Sequence, residues 1–412
     1  MREMKDSGLQ WAGDIPQYWN IAKGKHFMAV LERPVRDDDN VITCFRDGEV
    51  TLRSNRREDG FTVATVEVGY QGIEPGDLVV HGMDGFAGAI GISDSRGKGT
   101  PALNVLSCSE NKKYIMYLLR AMAYTEVFMA LSTGIRVRTC DTNWKKLKSL
   151  DYLIPPADEQ QCIADFLDAK CAEIDALTAD IQTQIDTLEQ YKRSVITETV
   201  TKGLNPNAEM KDSGIQWIGN MPAHWDVVRG KYILHYMQKP VREDDGVITC
   251  FRDGEVTLRS NRREEGFTMS DKEIGYQGID VGDLVVHGMD GFAGSIGISD
   301  SRGKASPVLN VLDTDQCKRY IMYYLRSMAY SDVFLALATG IRVRSCDLRW
   351  NKLAELSYPV PPLDEQNAIV KHIDSALSKA EAVIADKKAQ LATLDEYKKS
   401  LIFEYVTGKK EV

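Results

Sequence analysis

The chain reads as an α+β protein built twice. Two mixed α/β domains are each followed by a long helix, and the two helices most simply pack against each other as a coiled coil. Three observations predict this. Residues 4–203 recur as residues 210–409 at a constant offset of 206, with no insertion or deletion. The leading part of each copy carries hairpin and strand signals. The trailing part carries a narrow apolar stripe at heptad spacing.

The likeness between the copies is uneven. Residues 41–62 match residues 247–268 at 21 of 22 positions, differing only at Asp59 and Glu265, whereas residues 161–190 match 367–396 at 8 of 30. A uniform recent duplication would not give that gradient. One surface was held the same while another diverged, which is the mark of a chain that reads the same thing twice.

A chain of 412 residues is too long for one ordinary core. The repeat divides it into a first mixed domain (1–155), a first helix (156–203), a second mixed domain (204–361) and a second helix (362–412). In the first domain, Val41-Ile42-Thr43-Cys44-Phe45 and Val50-Thr51-Leu52 flank an Asp47-Gly48 turn, a strong hairpin signal. Residues 77–81 and 88–93 read as strands joined by the loop Gly82-Met83-Asp84-Gly85-Phe86-Ala87, and residues 114–131 as a buried helix. Pro155-Pro156 ends the next strand. Asp158 with Gln161 reads as a capping box opening the long helix. Leu167, Ile174, Ile181, Leu188 and Val195 then fall seven apart, with Ile163, Cys171, Leu177, Ile185 and Tyr191 between them. Ile373, Leu377, Val383, Ile384, Leu391, Leu394 and Leu401 make a rougher stripe in the second copy. Two such helices pair with one another, or each packs on its own domain.

The net charge of −9 speaks at first against a nucleic-acid partner, but its location matters. Residues 157–200 hold 10 acidic and 3 basic side chains, and residues 363–406 hold 8 and 6. The helices therefore carry the whole excess, and the mixed domains are neutral, free to present a local basic face. No apolar run approaches the ~20 residues of a membrane span, and the leading Met1-Arg2-Glu3-Met4 lacks a signal-peptide core. Of eight cysteines, only Cys44/Cys250 and Cys140/Cys346 are matched between copies, so a reducing cytoplasm is expected rather than a disulfide framework.

Catalytic signatures are missing. There is no phosphate loop, no Gly-x-Gly-x-x-Gly fingerprint, no Asn/Asp-Pro-Pro-aromatic tetrapeptide of amino-methyltransferases, no zinc spacing and no nucleophile–base pair. The matched Asp47, Asp77 and Asp84 are too scattered for a nuclease. No cofactor or metal is expected.

The candidate reading residues lie in the faithfully repeated segments. Arg53-Ser54-Asn55-Arg56-Arg57 returns as Arg259-Ser260-Asn261-Arg262-Arg263. Arginine pairs with guanine and asparagine with adenine in the major groove, and both also position on phosphates. A solvated basic face is the plain alternative. Arg46, Arg136 and Arg138 are matched by Arg252, Arg342 and Arg344. His81, Met83 and Asp84 recur as His287, Met289 and Asp290. The histidine could bind a base edge or phosphate, serve a structural role, or act at a catalytic or metal site. The six tryptophans, matched as Trp11/Trp217, Trp19/Trp225 and Trp144/Trp350, read as core anchors.

Together, Ser7-Gly8-x-x-Trp11-x-Gly13-x-x-Pro16-x-x-Trp19, the later Thr133-Gly134-x-Arg136 and Pro155-Pro156-x-Asp158-Glu159-Gln160 resemble the specificity subunit of type I restriction-modification systems. The resemblance spans nearly the whole chain. It implies that each mixed domain is a target recognition domain reading one half of a split double-stranded DNA sequence. It implies that the helices pair as an antiparallel coiled coil with pseudo-two-fold symmetry and set the gap. Its partners would be two modification subunits, which bind S-adenosylmethionine and methylate adenine N6, and ATP-dependent restriction subunits. This chain would itself carry no catalytic residue. Near-identical loops on antiparallel helices predict an inverted-repeat target with half-sites about one duplex turn (~10 bp) apart. The other reading is a tandem binding scaffold for a non-DNA ligand.

Overall fold

The computed structural model describes residues 2–56, 68–130, 142–262, 274–336 and 348–412. The chain forms two compact units: Met1–Ile181 with Lys388–Val412, and Gln182–Lys387. Both long helices, Ala157–Lys202 and Leu363–Val406, contribute to both units.

The first unit centres on a four-stranded antiparallel sheet ordered Met28–Val30, Leu103–Cys108, Leu78–His81, Ile90–Ile92. Side chains alternate across a strand, and here both faces are covered. Leu78, Val80, Ile90 and Leu106 face the large core with the domain helix Lys112–Tyr124. Val79, Ala89, Leu103 and Val105 face a smaller core capped by the hairpin Ile42–Cys44/Val50–Leu52. That hairpin pairs with Cys44 opposite Val50, as the Asp-Gly signal predicts. The second unit repeats the arrangement, with Val285 and Val311 under the hairpin Ile248–Cys250/Val256–Leu258.

The expected helix over 114–131 is broken. It runs Lys112–Tyr124, and a short second helix follows at Val127–Ala130. Between them Glu126 adopts φ +60°, which no continuing α-helix allows. The long helix also starts differently from expectation. It begins at Ala157, and the Gln160 amide donates to the Pro156 carbonyl at 2.9 Å. Asp158 is therefore in the first turn rather than before it, where its charge still favours the helix N-terminus. Prolines, with fixed φ and no amide hydrogen, suit the position just outside a helix.

Gln160, not Gln161, is the residue buried at this junction. Its side chain donates to the Pro155 carbonyl (2.9 Å) and to Glu110 (2.6 Å), and its oxygen accepts the Asn111 amide (3.0 Å). Gln366 makes the matching set to Pro361, Gln316 and Cys317. The Pro-Pro-x-Asp-Glu-Gln motif is thus a latch between the long helix and the start of the domain helix. Next to it, Trp19 is fully buried and donates to Glu159 at 3.0 Å.

Within each unit the two long helices pack antiparallel. In the first, Phe166 meets Tyr405 and Asp175 bonds Lys398 at 2.6 Å. In the second, Gln184 bonds Lys387 and Lys192 lies 3.3 Å from Glu381. The seam buries Ile163, Leu167, Cys171, Ile174, Ile181 and Ile185, as the heptads predict, but Leu177, Tyr191 and Val383 are exposed. An ideal helix drifts from strict seven-residue spacing, so Ala164, Ile196 and Val200 take over the seam.

Arg120 is buried in the domain helix and donates to the Ile90 and Gly48 carbonyls at 2.8 and 2.9 Å. Arg120→Met should strand both carbonyls in the interior and cost about 2–4 kcal/mol in urea unfolding. Tyr114→Phe, which loses bonds to the Leu153 and Val406 carbonyls, should cost only about 1 kcal/mol.

Candidate nucleic-acid interface

The hairpin turn fixes the geometry of the site. Gly48 has φ +89°, and a side chain there would collide with the Arg120 guanidinium. The left-handed turn is therefore reserved for glycine and pinned from below by an arginine. Leu52 leads directly into a single turn of 3₁₀ helix, Arg53–Asn55, whose first amide donates to the Val41 carbonyl at 2.8 Å. Thus the basic run sits on a short rigid platform at the end of a strand, not on a loose loop.

Its side chains are individually tethered. Arg53 Nε donates to Thr43 at 3.3 Å and Asn55 to Thr51 at 2.8 Å. Ser54 is exposed beside them. Arg56 stacks over the Phe45 ring (4.3 Å) and reaches Asp47 (2.6 Å) and Glu49 (3.2 Å). Arg46, largely exposed, bonds Asp84 at 2.8 Å. In the second unit Arg259, Asn261, Arg262 and Arg252 repeat these contacts with Thr249, Thr257, Asp253 with Glu255, and Asp290, and Ser260 is exposed.

His81 is held as an acceptor. Its Nδ1 accepts the Met83 and Asp84 amides at 3.2 and 3.0 Å, closing the His-Gly-Met-Asp loop and leaving Met83 exposed. Burial pushes its pKa down against the opposing pull of Asp84, with Arg46 adding to the depression. His287 behaves alike with Met289 and Asp290. In both imidazoles Nδ1 thus serves the loop as an acceptor.

The second unit shows what these residues enclose. Arg252, Arg259, Arg262, His287 and Asp290 line one concavity of about 520 Å³. Positions far apart in sequence thus converge on one surface. Arg57, Arg136, Arg138, Arg263, Arg342 and Arg344 lie outside the described residues.

Sequence reasoning did not foresee several supporting roles. Phe45/Phe251 lie beneath the Arg56/Arg262 guanidinium groups, and Asp47, Glu49 and their counterparts neutralise them. Arg120/Arg326 support the turn. A lone arginine in the apolar run Tyr-Ile-Met-Tyr-Leu-Leu-Arg-Ala-Met was the available signal. Among the described residues no cluster of three His, Cys, Asp or Glu could hold a metal. Cys44 and Cys250 are buried, which pushes each thiol up to about 12.

Taken together, the fold and site define a tandem protein that carries the same arginine-bearing hairpin in each of two units. Over its whole length the chain is similar to specificity subunits of type I restriction enzymes. It is 24% identical to a putative MjaX specificity subunit of Methanocaldococcus jannaschii, covering 97% of this chain and 95% of that one. It is 19% identical to the StySPI specificity subunit of Salmonella potsdam, covering 96% and 90%. No family model matches the chain. A solved chain from work on complex assembly and conformational transition of the type I R-M system shares the fold, with a TM-score of 0.68 and 13% identity over 96% of this chain and 99% of that one.

The histidine geometry has a pH consequence. A folded-state pKa below the ordinary 6.5 means the stabilisation is complete above 6.5 and is lost as pH falls below it. The protection of the Met83, Asp84, Met289 and Asp290 amides against hydrogen exchange, taken relative to the intrinsic rate at each pH, should therefore fall on going from pH 7 to 5. His81→Asn should lessen that fall in the first unit, because an amide oxygen accepts at either pH.

Proposed function

We propose that this chain is the DNA sequence-recognition subunit of a type I restriction-modification enzyme. The observation that carries the reading is the whole-length likeness to specificity subunits in a chain that repeats its arginine-bearing hairpin almost unchanged. The functional division is recognition domains at 1–155 and 204–361, with spacer helices at 156–203 and 362–412. Each domain reads one half of a gapped duplex target.

The chemistry suits base reading. Arg46, Arg53 and Arg56, with Asn55, offer donors in fixed directions from a rigid platform, and such donors match guanine and adenine edges in the major groove. Their counterparts in the second domain offer the same set, so the half-sites are alike. Carried on antiparallel helices, like domains read them as an inverted repeat.

Two modification subunits supply S-adenosylmethionine and methylate adenine N6, and ATP-dependent restriction subunits complete the assembly. This chain contributes no catalytic group and acts in the cytoplasm. No helix among the described residues is long and apolar enough to cross a membrane. The acidic outer faces of the long helices repel phosphate and suit protein partners.

Co-expression with the modification subunits, followed by sequencing of methylated adenines in host DNA, tests the reading. A bipartite motif with inverted-repeat halves is expected; the absence of any motif overturns DNA reading, and two unrelated half-sites overturn the symmetry. Arg53→Ala and Arg259→Ala should each relax one base position by ~1–3 kcal/mol. A uniform loss across all sequences would instead make these phosphate contacts.

A further inference from the structure

The concavity of the second unit differs from the first unit's equivalent residues at one position. Every described residue lining it has an identical counterpart 206 positions earlier, except Ser295, which stands where the first unit has Ala89. Ser295 is 1% exposed, and its hydroxyl has no hydrogen-bond partner among the described residues. Its backbone is fully engaged. The amide donates to the Asp290 carbonyl (3.3 Å), and the carbonyl accepts the His287 amide (3.0 Å). A buried hydroxyl without a partner is costly, and the alanine of the first unit avoids that cost. The one varied residue is thus the one holding an unused hydrogen-bonding group.

The rim indicates what could use it. Arg252 lies 3.1 Å from Asp290, and Arg262 lies 2.7 Å from Asp253 and 3.0 Å from Glu255. A phosphate entering here would meet the carboxylates of Asp253 and Asp290. A base edge carries donors and acceptors together and complements such a mixed rim. A serine hydroxyl serves either kind of group, directly or through a water that it holds.

We propose that Ser295 is a specificity-determining residue. Its hydroxyl makes the second domain more stringent than the first at one base pair of the half-site. This rests on the DNA-reading function above.

The test uses the full chain co-expressed with its modification subunits, with methylated adenines sequenced in host DNA. The unaltered complex should methylate a near-inverted repeat that tolerates substitution at one position in one half more than at the equivalent position in the other. Ser295→Ala should make both halves equally tolerant there, lowering discrimination roughly 3–10-fold, the worth of one hydrogen bond. Ala89→Ser should make both equally stringent. Ser295→Ala reproduces the residue already buried at this place in the first unit, so folding is not at issue, and this variant alone decides. An unchanged position-by-position profile in Ser295→Ala overturns the proposal while leaving DNA reading intact. Loss of any motif in the unaltered complex overturns both.

Discussion

The arginine-bearing hairpin depends on a guanidinium that lies beneath it. Arg120 sits inside the first unit and ties the hairpin turn to the central sheet through the carbonyls of Gly48 and Ile90. The same helix carries Lys113 and Tyr117, which both bond Asp168 on the first long helix, and Tyr114, which reaches the carbonyls of Leu153 and Val406. One thirteen-residue helix therefore connects the hairpin to the first long helix. Both bonds are charge-assisted, and a buried guanidinium must keep both acceptors or bear its full desolvation cost. The hairpin is thereby locked in one place relative to the sheet.

That lock explains where the two copies agree. Thr43, Thr51, Asp47, Glu49 and Phe45 each hold a named arginine or asparagine, so altering any of them frees a side chain that has to point correctly. The helix seam asks only for apolar volume at intervals, and volume-conserving exchanges there cost little. Asp168 and Asp374 are among the few helix positions kept the same, and both bond the domain helix.

The sequence carried the architecture because its strongest signals were local. The Asp47-Gly48 turn, the heptads and the double proline each specify an element without help from distant residues. The groups whose roles were hidden act across long separations. Gln160 was indistinguishable from Gln161 until Asn111 and Glu110 were placed beside it. His81 stood open between three roles, and only the amides of Met83 and Asp84 show how its ring is used. The helix break at Glu126 followed from a single backbone angle that no propensity announces. Leu177 and Tyr191 fitted a seven-residue count, but the pitch of a real helix turned them outward.

The composition of the compact units has a consequence for ancestry. Residues 388–412, which complete the first unit, are the repeat equivalents of residues 182–206, which open the second. Each unit is thus one whole repeat whose tail comes from the other copy. A single-repeat ancestor could satisfy the same contacts by exchanging tails between two molecules, as swapped dimers do. Fusion of its two genes would then have made an obligate exchange internal. It would also have released each copy to change on its own, a freedom that the diverged helices and Ser295 record.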